Sequence, residues 1–535
     1  MLIITSAAYV PAELASELGQ LPPSFLPLGN RRLYARQLAT IAALRESVVM
    51  SLPDDFALEA RDAAALAAAG VAVALTPPGK RLVESLRLVL AAHPPATGEC
   101  LRILHGDTLQ GDLPLETADV VAVAANDGYY PRSQVQSASE RFISADYRYC
   151  QPGDPVLTGY MSFGDAALFQ TLLAQETDYI AVLNRYQALS PKGLAVYRTR
   201  RWADCGHVNA YYRSRASHTT ERVFNELRVE RHYIRKRSEN GLKIRAELEW
   251  FRSLPAAMRH YVPQIGSSGT EPEDTFYDIE YLYALPLSDL YVFGLLPPQD
   301  WGTIFIRCLE FLSECSAYAL PAASRADWRE MYLPKTLRRL TDFARQSEWI
   351  LEAPTTVNGV AHPSVIQIAT DAQAVIDAAP AGALTLCHGD FCFSNILYDA
   401  RARRIKVIDP RGLGPDGKLN SHGDLRYDFG KLFHSVIGGY DFVIAGQIRG
   451  QLTGTNAIQV QGELPERTQP VIERFRQSCL AVVGEAGGEK LIAAITVHLF
   501  LSMLPLHSDE PQRQLALLSR AVALHKHYHF NDLPH

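Results

Sequence analysis

Short apolar runs alternate with Ala- and Leu-rich stretches of helical period from the first residue to about Arg215. Leu2–Thr5, Ser47–Ser51, Val71–Leu75, Leu101–Leu104 and Val120–Ala124 are predicted strands, and Leu33–Leu44, Ala57–Ala69 and Arg81–Ala91 are predicted helices. Strand and helix in alternation imply a mostly parallel α/β sheet. The pattern then changes. Phe224–Arg237 alternates as a strand does, and a charged helix begins near Leu242. After Pro297 the chain reads as mainly helical, with Trp301–Tyr318 and Tyr332–Phe343 as core helices and one hairpin from Asn395 to Asp409. A small β-rich part followed by a large helical part predicts two lobes. Leu491–Leu506 is the most apolar late stretch. It is shorter than the roughly 20 residues of a membrane span and contains His498 and Ser502, so a buried helix is expected and no membrane span.

Composition narrows the field. At roughly 100–200 residues per domain, a chain of 535 residues suggests several units. With 47% hydrophobic and 21% charged residues, it has the make-up of a soluble globular protein. A net charge of -6 gives no overall basic field for nucleic acid. The start, Met1-Leu2-Ile3-Ile4-Thr5, has no basic segment ahead of an apolar run, which argues against a signal peptide and for a cytoplasmic location. The eight cysteines form no CxxC pair, so neither a zinc site nor a disulfide framework is expected.

The sharpest chemical signal is His388-Gly389-Asp390-Phe391-Cys392-Phe393-Ser394-Asn395, followed by Ile405-Lys406-Val407-Ile408-Asp409. Phosphoryl transfer needs a carboxylate to orient the acceptor hydroxyl and Mg²⁺ to bridge the nucleotide phosphates. Asp390 can accept the hydroxyl hydrogen bond, and Asn395 and Asp409 supply hard oxygen ligands for Mg²⁺. The apolar arms Ile396–Tyr398 and Ile405–Ile408 flank the polar tip Asp399–Arg404, a hairpin that folds Asp409 back towards Asn395. A second His-Gly-Asp, His105-Gly106-Asp107, has no such hairpin after it, so the tripeptide alone is a weak signal. A kinase also needs a lysine on the phosphates and a glutamate to hold it. In His232-Tyr233-Ile234-Arg235-Lys236, Lys236 shares a strand face with Ile234 while Arg235 points away. In the next helix Glu247 falls within the apolar stripe Ile244, Leu248 and Phe251, where a carboxylate needs a partner; Lys236 is the natural one. The opposing reading is a solvated basic run, because Arg235, Lys236, Arg237, Lys243 and Arg245 crowd together.

The HGDxxxxN pattern and the later strand ending in Asp resemble the aminoglycoside phosphotransferase and choline kinase superfamily. The resemblance implies a bilobal α+β, protein-kinase-like domain with ATP as donor and Mg²⁺ as cofactor. It implies Asp390, Lys236 and Glu247 as catalytic residues and Asn395 and Asp409 as metal ligands. Asp278-Ile279-Glu280-Tyr281-Leu282 is similar to the interlobe hinge, which implies that the backbone at Glu280 and Leu282 meets the adenine and that Tyr281 packs. Asp424-Leu425-Arg426-Tyr427-Asp428 resembles the later aspartate motif and implies a structural role for Asp428 under the catalytic loop. A glycine-rich phosphate loop is absent; Arg222-Val223-Phe224-Asn225-Glu226 stands in its place.

In the first part, Asp107 follows the strand Leu101–Leu104, and open α/β sheets bind ligands beyond the carboxyl ends of strands. Strand-Gly-Asp, then Gly159–Phe163, then Trp202-Ala203-Asp204-Cys205-Gly206 resembles the sugar-1-phosphate nucleotidyltransferases, GT-A-like α/β domains. Pro22–Asn30 is similar to their PKxLLPxxG segment, with Pro23 at the signature lysine, and the GxGTR loop is missing after Leu2–Thr5. The resemblance implies that Asp107 and Asp204 hold Mg²⁺ for a second NTP, CTP or another; Arg31 and Arg32, outside the family pattern, are the candidates for replacement positive charge.

The expected organisation is a nucleotidyltransferase-like α/β domain over about residues 1–215 and a kinase-like domain over 216–535, its small lobe to about 295 and its large lobe from about 296. The two resemblances imply a bifunctional enzyme. It would phosphorylate a small alcohol or sugar with ATP and couple the product phosphate to a nucleotide, as in capsule and surface polysaccharide biosynthesis. Two alternatives stay open: a kinase with a non-catalytic nucleotide-sugar-binding first domain, and a nucleotide-sensing pseudoenzyme.

Overall fold

The computed structural model describes residues 1–128, 130–136, 141–143, 150–218, 226–229, 233–238, 241–271, 274–320, 328–480 and 488–530. Arg222–Asn225 and His232, named above, lie outside the described residues. Two compact units emerge, one of Met1–Thr219 with Phe293–Leu295 and one of Thr220–Val292 with Leu296–His535.

The first unit contains strands β1 (Leu2–Thr5), β2 (Val48–Pro53), β3 (Val71–Thr76), β4 (Leu101–His105), β5 (Thr108–Gln110), β6 (Val120–Ala125), β7 (Gln134–Gln136), β8 (Arg141–Ile143), β9 (Pro155–Phe163), β10 (Ala195–Arg198) and β11 (Trp202–Asp204). Its main sheet runs β10-β6-β9-β4-β1-β2-β3. Strands β3, β2, β1 and β4 are parallel, as the alternation predicts. The sheet is nevertheless mixed, because β9 lies between β4 and β6 and is antiparallel to both. Helices Leu82–Ala92, Ala166–Gln175 and Tyr179–Leu189 cover one face through a core that includes Ile3, Ile103, Val121, Met161 and Phe169. Just past the carboxyl end of β4, β5 pairs with β11 in an antiparallel ribbon, with Thr108 opposite Asp204.

The second unit opens with an antiparallel sheet of β12 (Glu226–Val229), β13 (Tyr233–Ser238), β14 (Ile265–Glu271) and β15 (Asp274–Glu280), in the order β12-β13-β15-β14. The helix Gly241–Ser253 packs on β13 and β15 and buries Ile244, Glu247, Leu248 and Phe251. Four residues past β15, 281–284, belong to no strand or helix and lead into the helical lobe. That lobe gathers around the helix Gly488–Met503, whose residues Ile492 to Ser502 are buried. Gly488–His507 is long and apolar enough by length and composition to cross a membrane, and 67% of it is buried inside the protein, as expected of a core helix. The predicted hairpin is present as Ile396–Asp399 and Arg404–Val407, with Ile396 opposite Val407.

Candidate functional site

In the second unit, β13 alternates, so Arg235 and Lys236 leave it on opposite faces. Arg235 forms a two-pronged ion pair with Asp278, its cross-strand neighbour on β15. Lys236, only 4% exposed, points to the helix Gly241–Ser253, and its Nζ lies 2.5 Å from Glu247 Oε2. Tyr277 donates its hydroxyl to the same oxygen at 2.8 Å. The Lys236 ammonium also donates to Asp409 Oδ1 at 2.9 Å. Burial pushes the lysine down, yet the two carboxylates win and hold it above its ordinary value. The arrangement disposes of the solvated-run reading for Lys236.

Asp409 is reached through the hairpin. Ile408 N–H donates to Asn395 O at 3.0 Å, which returns the chain to the start of the hairpin. Asp409 itself has φ 58°, a left-handed conformation that non-glycine residues seldom adopt outside functional or tightly determined turns. Asn395 donates from Nδ2 to the Asp390 carbonyl and to Asp390 Oδ2, both at 2.9 Å. Its Oδ1 is therefore the atom able to meet a cation. Asp390 Oδ1 lies 2.8 Å from Lys431 Nζ, and the carboxylate lifts that buried lysine above its ordinary value against the opposing effect of burial.

The loop carrying Asp390 is fixed from below. His388 N–H and Gly389 N–H donate to the two oxygens of Asp428 at 2.7 and 2.8 Å. Burial pushes that carboxyl up to about 7, and the two N–H donors oppose the push. His388 uses both ring nitrogens. Nδ1 accepts from Asp390 N–H at 3.3 Å, so Nε2 is the nitrogen that donates to Ile408 O at 3.0 Å. Burial lowers the His388 imidazole to about 4, consistent with that neutral tautomer. Gly389 has φ 75°, and a Cβ there would sit 2.7 Å from Arg411 Cβ. Trp250 Nε1 donates to Cys387 O at 2.7 Å, joining the helix Gly241–Ser253 to this loop. Gly412, φ 62°, passes so close to Ala246 O of that helix that any side chain there would collide.

The hinge candidates lie where β15 ends. Glu280 pairs with Tyr233, and its N–H donates to Gln264 O at 2.9 Å while its Oε2 accepts Gln264 N–H at 3.0 Å. Leu282 falls in the stretch 281–284 outside regular structure. Sequence reasoning passed over Lys431 and Arg411. The signal available was spacing: Lys431 is one helical turn beyond Asp428, and Arg411 lies two residues after Asp409.

In the first unit, the β5–β11 ribbon brings Asp107 and Asp204 together around Gly206. Cys205 N–H donates to Asp107 O at 2.8 Å, Gly206 N–H donates to Asp204 Oδ1 at 2.8 Å, and a side chain at Gly206 would run into the Asp107 carboxylate. Burial raises the Asp107 carboxyl, and Asp204 raises it further against the nearby imidazoles. Asp204 carries the counter-charges: Arg132 Nη2 contacts its Oδ2, and His207 Nδ1 lies 2.8 Å from the same oxygen. These hydrogen bonds and charges hold Asp204 below the usual carboxylate value despite its burial. The expectation that Arg32 supplies positive charge here is corrected. Arg32 is 4% exposed, pairs with Asp62 at 3.5 Å and donates to Phe25 O, because the helix Leu33–Thr40 begins directly after it and turns it inward. Burial lowers the Arg36 guanidinium, and the charge of Arg31 lowers it further. Arg132 takes the role; it lies far from both aspartates in sequence and belongs to no motif.

An oxygen-only set suits Mg²⁺ at Asn395 and Asp409, both carried by rigid turns. At the aspartate pair the fit is narrower: Asp107 has no side-chain donor among the described residues, whereas Asp204 already holds Arg132 and His207. Among the described residues no three His, Cys, Asp or Glu side chains cluster as a metal cage.

Residues 213–459 match the phosphotransferase enzyme family, APH. No curated protein sequence matches the chain. Among solved structures, it is similar to a thermostable mutant of aminoglycoside phosphotransferase APH(4)-Ia in complex with AMP-PNP and hygromycin B. That likeness has 13% identity, covers 59% of this chain and 93% of the other, and has a TM-score of 0.37. The nucleoside-diphosphate-sugar pyrophosphorylase of Vibrio cholerae RC9 is similar at 14% identity, over 40% of this chain and 99% of the other, with a TM-score of 0.34. The inositol-1-phosphate CTP transferase of T. maritima is similar at 13% identity, over 39% of this chain and 90% of the other, with a TM-score of 0.29.

Proposed function

We propose that the second unit transfers the γ-phosphoryl group of ATP to a hydroxyl of a small alcohol or sugar. The observation that carries this reading is the Lys236 ammonium bridging Glu247 and Asp409, with Asp390 held by Lys431 and Asn395 on the adjoining loop. Asp390 accepts the hydrogen bond of the acceptor hydroxyl. The hydroxyl oxygen bonds to the γ-phosphorus, the bond from that phosphorus to the bridging oxygen breaks, ADP leaves, and the hydroxyl proton passes to Asp390. Lys236 exchanges part of its pairing with Asp409 for the nucleotide phosphates, while Glu247 keeps it aimed. Mg²⁺, when bound through Asn395 Oδ1 and Asp409, supplies positive charge to the phosphates. The backbone at Glu280 and Leu282 meets the adenine. Incubation with ATP, Mg²⁺ and a panel of alcohols and sugars, read by mass spectrometry, should reveal an acceptor that gains one phosphoryl group. Absence of ATP or ADP binding would remove the reading.

For the first unit the same proposal continues. An oxygen of the new phosphate bonds to the α-phosphorus of CTP or another NTP, and pyrophosphate leaves. The product would be a nucleotide-activated group of the kind built into capsule and surface polysaccharides. The support is the pairing of Asp107 and Asp204 at the carboxyl end of β4. A second reading is favoured by Arg132 and His207, which already neutralise Asp204: a site that binds a nucleotide sugar without turnover. Pyrophosphate release that disappears in Asp107→Asn supports the first; nucleotide-sugar binding without any pyrophosphate supports the second.

A further inference from the structure

The large lobe carries a cavity of about 340 Å³ bordered by Lys335, Arg338, Arg339, Arg411, Glu330 and Asp342. Arg338 is paired with Glu330 at 3.1 Å. Lys335, Arg339 and Arg411 have no carboxylate partner among the described residues. Lys335 Nζ instead meets the Tyr427 hydroxyl at 3.2 Å and lies 5.5 Å from the centre of its ring. Burial lowers the Lys335 ammonium, and the charges of Arg411 and Lys431 lower it further, with Tyr427 opposing. Cations gathered in this way repel one another, and such a group is most stable when an anion sits among them.

The cavity adjoins the catalytic loop. Arg411 N–H donates to His388 O at 2.9 Å, and the Arg411 stem packs where a Gly389 side chain would be. Tyr427 precedes Asp428, the residue beneath the loop, and Lys431, which holds Asp390, stands one turn further on the same helix, Leu425–Val436. The nucleotide candidates Lys236, Glu280 and Leu282 come from the small lobe and the segment after it, whereas every cation of this cavity comes from the large lobe.

The geometry points to an acceptor that already bears a negative charge, a phosphate monoester or a carboxylate, seated among Lys335, Arg339 and Arg411 with its hydroxyl turned to Asp390. This inference rests on the kinase reading of the same loop and adds the class of substrate. A neutral alcohol leaves the cations unneutralised, and a cationic acceptor is repelled.

The test uses the full chain and calorimetry in two stages. Mg·ADP is titrated first; no binding removes the kinase reading itself. Inorganic phosphate and malonate are then titrated separately into protein saturated with Mg·ADP. The expected result is that at least one of them binds, with a dissociation constant that rises about tenfold or more in Lys335→Met and in Arg339→Gln, while Mg·ADP affinity is unchanged. Phosphate binding without malonate binding assigns a phosphorylated acceptor; malonate binding as tight as phosphate assigns a carboxylate. Silence from both anions in the ADP-loaded protein, or binding that neither substitution weakens, overturns the inference and leaves the kinase reading intact. Arg339→Gln keeps the test decisive should Lys335→Met not fold.

Discussion

His105-Gly106-Asp107 in the first unit and His388-Gly389-Asp390 in the second present the same three residues in different surroundings. Gly106 N–H donates to Thr5 O at 2.8 Å, so it continues strand pairing and delivers Asp107 at the end of β4. Gly389 has φ 75° and turns the chain over Arg411, so Asp390 stands on a loop. Around the first tripeptide, two carboxylates face one another, and Asp204, not Asp107, holds Arg132. Around the second, each carboxylate has its own ammonium, Lys431 for Asp390 and Lys236 for Asp409. A third copy, His422-Gly423-Asp424, forms a strand paired with Leu384–Leu386, and its aspartate is occupied by Tyr332 and Arg426. The comparison teaches that the cations, and not the tripeptide, decide what the aspartate can do.

Substitution at equivalent positions should separate the sites. Asp390→Asn is expected to lower phosphoryl transfer by about 10²- to 10⁴-fold while leaving Mg·ADP affinity near wild type, as read by steady-state kinetics and calorimetry. Asp107→Asn in the same assay should leave transfer unchanged. A large loss there, or a small loss at Asp390, would erase the distinction between the tripeptides.

The next effect in size concerns Lys236. Lys236→Met leaves Glu247 buried and unpaired, which should cost about 3 to 5 kcal/mol in denaturant unfolding, and it should raise KM for ATP, lower kcat, or both. The double change Lys236→Met with Glu247→Leu should recover much of the stability and none of the activity. Recovery of activity would show that the pair is structural only.

Acid should act through the buried histidine of the second tripeptide. Unfolded histidine takes up a proton below about pH 6.5, whereas buried His388 stays neutral down to about 4. Stability should therefore fall as pH drops from about 6.5 to about 4 and level off below, by about 3 kcal/mol for this group. His388→Gln should reduce that slope in urea unfolding, while buried His105, His434 and His498, also lowered by burial, keep the remainder. The smallest effect is expected at the third copy. Asp424→Asn should reduce stability by about 1 to 3 kcal/mol through its bonds to Tyr332 and Arg426, with kcat little changed.

The hairpin Ile396–Val407 was legible because its apolar arms and polar tip are local, and Lys236 because strand alternation and a helical stripe converge on one pair. β9 was not. Local periodicity carries no direction, and Pro155–Phe163, buried between two neighbours, could have run either way. Arg132 escaped notice because only the fold brings it to Asp204, and Arg32 misled because its charge was visible while its burial against Asp62 was not. Lys431 was overlooked because a lysine in an amphipathic helix ordinarily faces water, whereas this one is turned inward to Asp390.

The bond from Trp250 Nε1 to Cys387 O and the close passage of Gly412 by Ala246 have a mechanical consequence. They stitch the helix Gly241–Ser253 to the catalytic loop, so this helix behaves as a fixed post of the large lobe. Lys236 on β13 reaches both Glu247 on this post and Asp409 past the hairpin, so one ammonium rivets sheet, helix and hairpin together.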